Sequence, residues 1–201
     1  PDKQHIALPI NIHAQILAQV YNTVEKYHPH RHAISEVMKA GFERLSIEKE
    51  IELAKGTYDE SNPRFRKNVD GRVQTFTRQL AKVKGIPDFH YRLDGYWLNN
   101  LLKDCLICVV FFSGIRRMEL LRTNKDSYEV DENTGISTLV TMHSKPNEGI
   151  PIKDVWQTDP IVKKVLELAY ESSNFAREFF LKQIDAQLSN KQISQDQHEA
   201  Y

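Results

Sequence analysis

The chain has 201 residues, with 27 lysines and arginines against 27 aspartates and glutamates, for a formal net charge of zero. That length suffices for one good core or two small ones, and the balanced charge removes any global basic signature for nucleic acid. The longest apolar segment is bounded by Asp104 and an arginine pair, well short of the roughly twenty residues a membrane span needs, and no signal-peptide pattern is present.

Helices lead. Ile12, Ile16, Val20, Val24 and Tyr27 mark one amphipathic stripe, and Ile34, Val37, Met38, Gly41, Phe42 and Leu45 mark another. His28-Pro29-His30-Arg31-His32 between them predicts the turn of a helical hairpin. Pro29 and the alternate spacing of the histidines suit a loop better than a metal site. Glu43 to Glu60 is weighted towards acid, and Thr57 to Pro63 reads as a connection to a new unit. Val73, Phe76, Leu80 and Val83 continue helically until Gly85-Ile86-Pro87. From Arg64 to Arg92 the bases are Arg64, Arg66, Lys67, Arg72, Arg78, Lys82, Lys84 and Arg92, against Asp70 and Asp88, a local excess of six positive charges. Such a stretch can follow a phosphate backbone; a solvated linker is the alternative.

Phe89, Tyr91, Tyr96 and Trp97 predict a packed junction, after which an apolar helix runs from Trp97 to Phe112. Cys105 and Cys108 lie in it one turn apart; with no second pair and apolar flanks, they read as buried free thiols. Ser113-Gly114 breaks this helix and puts Arg116 and Arg117 at the start of the next. An arginine is always ionised and carries a planar fork of donors suited to phosphate oxygens. Asp126 to Val130 and Ile136 to His143 are rich in β-formers and flank the turn residues Asp131 to Gly135. Ser144 to Gly149 reads as a second turn and Gly149 to Lys153 as a short edge strand, since Pro151 lacks a ladder donor. Trp156 is expected to anchor packing, Asp159-Pro160 opens a helix carrying Ile161, Val165, Leu168 and Ala169 on one face, and Ala176, Phe179, Phe180, Ile184 and Leu188 form a last stripe. The predicted class is mainly α with a small antiparallel sheet (α+β).

Ser113-Gly114-Ile115-Arg116-Arg117-Met118-Glu119-Leu120-Leu121 resembles the first active-site box of the tyrosine recombinase (phage integrase) family, a Thr-Gly-hydrophobic-Arg-x-x-Glu-Leu pattern. Ser113 stands where Thr is usual, and Met118 where a small residue is common. The resemblance spans about Leu98 to Ser172 in order and spacing. It implies residues 1–88 as a helical region contributing to a core DNA-binding domain, and 89–201 as the first portion of an integrase-like catalytic domain. It also implies that Arg116 is the first catalytic arginine, Glu119 its supporting residue, and Lys145, in the turn after the second strand, the general acid. Arg64, Arg66, Lys67, Arg72, Arg78, Lys82, Lys84 and Arg117 are the candidate DNA contacts.

The implied chemistry is breakage and rejoining of DNA strands through a 3′-phosphotyrosyl intermediate, in the setting of a mobile genetic element. The implied partners are double-stranded DNA and further copies of the chain assembled on it, with no membrane, metal or cofactor. The implied location is the cytoplasm, at the nucleoid when DNA is bound. The family continues with His-x-x-Arg, a His or Trp, and the nucleophilic Tyr. Nothing after Lys145 fits that order: His28-Pro29-His30-Arg31 precedes Arg116, Tyr170 sits in a helical pattern and Tyr201 has no second arginine box before it. The chain is therefore expected to be a piece of a longer recombinase, inactive alone. A non-catalytic DNA-binding or regulatory relative and an unrelated helical interaction domain are the competing expectations.

Overall fold

The structure, a computed structural model, describes residues 9–92, 94–143 and 152–189. The described chain is mainly helical, with one three-stranded antiparallel sheet of order β1-β2-β3. Helices α1 (Ile10–Tyr27), α2 (Arg31–Ala54), α3 (Pro63–Val83), α4 (Tyr96–Ser113) and α5 (Arg117–Leu120) precede strands β1 (Tyr128–Val130), β2 (Ser137–His143) and β3 (Ile152–Gln157). Helices α6 (Ile161–Ser172) and α7 (Asn174–Ser189) follow. Two compact units form, each from two stretches of chain: Pro1–Arg31 with Leu98–Tyr170, and His32–Trp97 with Glu171–Tyr201. The division expected from sequence is a single cut after residue 88.

In the first unit α4 presents Leu98, Leu101, Cys105, Cys108 and Val109 to the core, a three-and-four spacing that keeps them on one helical face. Val20 and Val24 of α1 and Val162, Val165 and Leu168 of α6 are buried with them. Both thiols are free and buried. Burial, reinforced by Cys108 and Asp104, pushes the Cys105 thiol well up, and burial near Asp159 raises Cys108 to about 11; neither is a nucleophile at neutral pH. Polar ties run from α1 outward: Thr23 donates to Asp104 at 3.2 Å, Lys164 to Glu25 at 2.8 Å, and His28 Nε2 lies 2.7 Å from Glu167 Oε2. The histidine segment is a 3₁₀ turn, His28–His30, and the described residues contain no grouping of His, Cys, Asp or Glu suited to a metal.

The sheet arises as the turn chemistry predicts. Asp131 Oδ1 accepts from the backbone N–H groups of Asn133 and Thr134, both at 2.9 Å, and Gly135 takes φ +68°, which closes the β1–β2 connection. Ser137, Leu139 and Thr141 alternate inward and are buried. Strand β3 is an edge strand as expected, but it runs on past Lys153 and pairs Trp156 with Leu139. The expected turn from Ser144 to Gly149 lies outside the described residues. Asp159 Oδ1 accepts from the Ile161 N–H at 2.9 Å and caps α6.

In the second unit Asn62 caps α3 with a 2.9 Å bond from the Arg64 N–H, and Pro63 takes the first helical position, where its missing donor costs nothing. Gly85, at φ +71°, ends the helix, with the Ile86 N–H bonded to Ala81 O at 2.9 Å. Phe65, Val69, Val73, Thr77 and Ala81 recur every fourth residue and form its buried stripe. Ile34, Val37 and Met38 of α2 are buried in the same unit. The apolar stripe expected on α7 is only partly inside: Ile184 is buried, whereas Phe180 faces solvent and Phe179 is half-exposed against the Phe42 ring at 4.8 Å. No helix among the described residues is long and apolar enough to cross a membrane.

Gly41 sits where α2 packs tightly against Tyr91 and Thr77. A Cβ there would lie 2.6 Å from Tyr91 Cε2 and 2.7 Å from Thr77 Cγ2, both on buried side chains. Gly41→Ala should therefore destabilise the protein by about 1–2 kcal/mol in urea unfolding, overpacking outweighing the helix propensity alanine adds.

Candidate active site and a cationic helix face

The turn between α4 and α5 is held from both sides. Ser113 Oγ donates to Val109 O at 2.6 Å and accepts from the Ile115 N–H at 3.3 Å. Gly114 takes φ +65°, a left-handed conformation that reverses the chain out of α4. Ile115 and Leu120 are buried on either side of Arg116. The Glu119 carboxylate reaches back and accepts from the Arg116 N–H at 2.9 Å, satisfying a donor that the helix start leaves open. That carboxylate is 4% exposed, while the Arg116 side chain is 64% exposed with Nη1 3.6 Å from Glu119 Oε1. The backbone of Arg116 is thus fixed and its guanidinium presented outward. Arg117 is exposed beside it, and Met118, which departs from the family pattern, points to solvent, where its bulk meets no core.

Arg122 ties this element to the sheet, its Nη1 donating to Met142 O at 3.0 Å. The partner is a backbone carbonyl twenty residues on, so no motif announces it. The end of β2 is thereby held next to α5, and the β2–β3 connection carries Lys145. Lys145 lies outside the described residues; in sequence it follows His143, the last residue of β2, by two positions.

The eight bases from Arg64 to Arg92 divide into two groups. Arg72 Nε donates to Glu48 at 2.5 Å and its Nη2 to Glu52 at 2.8 Å; Arg44 also pairs with Glu48 at 2.5 Å. Arg66 Nε donates to Glu60 O at 2.5 Å, Lys84 pairs with Glu36, and Arg92 pairs with Asp94 at 3.0 Å. These four are engaged in holding their own unit. Arg64, Lys67, Arg78 and Lys82 are exposed, and their charged groups have no partner among the described residues. The acid-weighted Glu43 to Glu60 segment supplies carboxylates that answer part of the basic one. Sequence showed both runs without showing which pairs form.

No family model, curated protein or solved structure matches this chain.

Burial opposes ionisation of Glu48, whose side chain is 3% exposed, but hydrogen bonds and charge from Arg72 and Arg44 outweigh it and hold the carboxyl below its ordinary value of 4.5. A depressed carboxyl stabilises the fold fully above the unfolded value and loses that contribution as pH falls through the folded one. Stability should therefore drop on acidification below about pH 4.5, and Glu48→Gln should flatten that limb of a chemical-denaturation profile. At pH 7 the same substitution should cost about 1–2 kcal/mol, less than for a fully buried pair because both guanidiniums keep water. Glu119→Ala should cost about 1 kcal/mol through the lost cap, with amide exchange at Arg116 rising while exchange in α3 stays unchanged.

Proposed function

We propose that the chain carries the leading part of the active site of a tyrosine-recombinase-type enzyme that breaks and rejoins double-stranded DNA. One observation carries this reading most directly. Arg116 projects an exposed guanidinium from a backbone locked by Glu119 and Gly114, and a three-stranded sheet follows with Lys145 in its second connection. Three cationic or supporting residues in that order, on that sequence of elements, suit phosphoryl chemistry without a metal.

The chemistry assigns each residue a task. A tyrosine hydroxyl gives its proton to water or an adjacent base as its oxygen attacks the scissile phosphorus, a new P–O bond forms to the tyrosine, and the bond to the 5′-oxygen breaks. Negative charge grows on the non-bridging oxygens in the transition state, where a fixed guanidinium is worth more than a mobile one. Arg116 supplies the positive charge that offsets it, and Glu119 acts by holding the backbone of Arg116 in place. Lys145 donates a proton to the departing 5′-oxygen. Duplex DNA is the substrate, and the exposed cations of α3 and Arg117 contribute phosphate contacts that are independent of base sequence. The nucleophile and second arginine belong to motifs that do not follow Lys145 in recognisable form.

The test is to read the gene beyond Tyr201 and assay its full product on nicked duplexes that trap a covalent protein–DNA adduct. A His-x-x-Arg box followed by a Tyr should be found, and adduct should form. Arg116→Ala should lower adduct formation about 100- to 1,000-fold while changing duplex affinity less than about threefold, the signature of an interaction made in the transition state. Lys145→Ala should slow cleavage, with a substrate bearing a better 5′ leaving group restoring the rate. Duplex binding without adduct in the full product would identify a DNA-binding relative that has lost the chemistry. Adduct formation indifferent to Arg116 would remove the assignment.

A further inference from the structure

Helices α2 and α7 lie side by side in the second unit and run in the same direction. The Phe175 N–H donates to Ser35 Oγ at 3.1 Å, Lys39 Nζ donates to Glu178 Oε2 at 3.2 Å, and the Phe42 and Phe179 rings meet at 4.8 Å, so the contacts climb both helices together. Between the helices runs an open groove of about 460 Å³. Phe42 and Ile47 line it from α2, and Phe175, Ala176, Phe179 and Phe180 from α7. Phe42, Ile47, Phe179 and Phe180 each keep 40% or more of their surface in water. Large apolar side chains scattered singly over a surface are ordinary, but four gathered along one groove mark a contact site. They are not strays from the core, because α2 turns its buried residues Ile34, Val37 and Met38 to its other side.

The charges beside the groove alternate. Lys39 and Glu43 stand one turn apart on α2, and Glu178 and Lys182 one turn apart on α7. Because the helices are parallel, one level carries Lys39 beside Glu178, and the next carries Glu43 beside Lys182 with the signs exchanged. The remaining lining residue, Ser46, is uncharged. Lys39 and Glu178 pair within the chain, whereas Glu43 and Lys182 have no ion-pair partner among the described residues. We infer that this groove is the self-association surface of the free chain, covered by the same α2–α7 face of a second copy in a twofold-symmetric dimer. Symmetry supplies the argument, since an isologous contact requires a self-complementary patch. A twofold axis along the helices sets Glu43 against Lys182 of the second copy and Lys39 against its Glu178. An axis across the helices sets Glu43 against Lys39 of the second copy and Lys182 against its Glu178. Either way every charge meets its opposite while the phenylalanines close over one another. An anionic membrane surface calls for a cationic rim, and a charged peptide for a rim of one sign. Two charges of each sign suit neither.

The association is between free chains and needs no duplex. Arg116 lies in the other compact unit, so failure here leaves the recombinase reading where it stood. About two helical turns of groove make a small contact beside the roughly 800 Å² per partner of a standard interface, so the expected dissociation constant is about 10–100 μM. Sedimentation equilibrium of the whole chain without DNA, from about 5 to 500 μM, measures it. Phe180→Asp should weaken association at least about tenfold. Phe180 is 62% exposed, so the fold is kept, and thermal unfolding of each variant checks this. Glu43→Lys should weaken association about fivefold by setting like charges face to face. Mixing that variant with Lys182→Glu should restore association if the axis runs along the helices, and mixing it with Lys39→Glu should do so if the axis runs across them. Restoration in neither mixture overturns the inference, as does association indifferent to Phe180→Asp. A chain that stays monomeric over the whole range without DNA also overturns it. In that case, anilinonaphthalene sulfonate fluorescence lost in Phe180→Asp would assign the groove to a different molecule.

Discussion

The contact on which the candidate site depends is the hydrogen bond from the Arg116 N–H to the Glu119 carboxylate. An exposed arginine is ordinarily mobile, and a mobile cation must lose conformational freedom before it can stabilise charge. Here a nearly buried carboxylate holds the backbone while the guanidinium stays in water. Glu119 performs two tasks, satisfying an open donor at the helix start and placing negative charge where the helix dipole favours it. Gly114 complements this by turning the chain in a conformation that a side chain would resist. A helix of only four residues is thereby made definite enough to aim a side chain.

Electrostatics in the second unit follows a different rule. Zero net charge conceals a helix whose bases are partly consumed by carboxylates of its own unit and partly left over. Glu48 shows how consumption works: a carboxylate taken out of water is tolerable when two arginines meet it. The leftover bases are the ones whose helical positions face away from α2's acids. Selection by geometry separates a structural arginine from an available one, although the two are the same residue type within one helix. Arg72 and Arg78 make the point, six residues apart and chemically identical.

Much of the fold was legible along the chain because local physics decides it. The three-and-four spacing of Leu98, Leu101, Cys105 and Cys108, the Asn62-Pro63 start of α3, its end at Gly85 and the Asp131–Gly135 turn are each set by residues within a few positions of one another. The Ser113-Gly114 break that puts Arg116 at a helix start was readable for the same reason, whereas Lys145 lies outside the described residues. Partners distant in sequence were not. Nothing in Arg72 says that its acceptor is Glu48, and nothing in Arg122 says that it holds the carbonyl of Met142. Phe180 reads as core by its hydrophobicity, yet it stands in solvent while Ile184, four residues on, is buried.

By itself, then, the sequence determined which segments are helix or strand and where their caps and turns fall, since these depend on backbone preferences and nearest neighbours. Only the tertiary structure decided which charges remain available, that α4 and α6 each pass from one compact unit into the other, and that Leu98–Tyr170 shares its unit with Pro1–Arg31. The physical reason is the range of the interactions. Capping and periodicity act over a turn or two of chain, whereas ion pairing and apolar burial act between any surfaces that folding brings within a few ångströms.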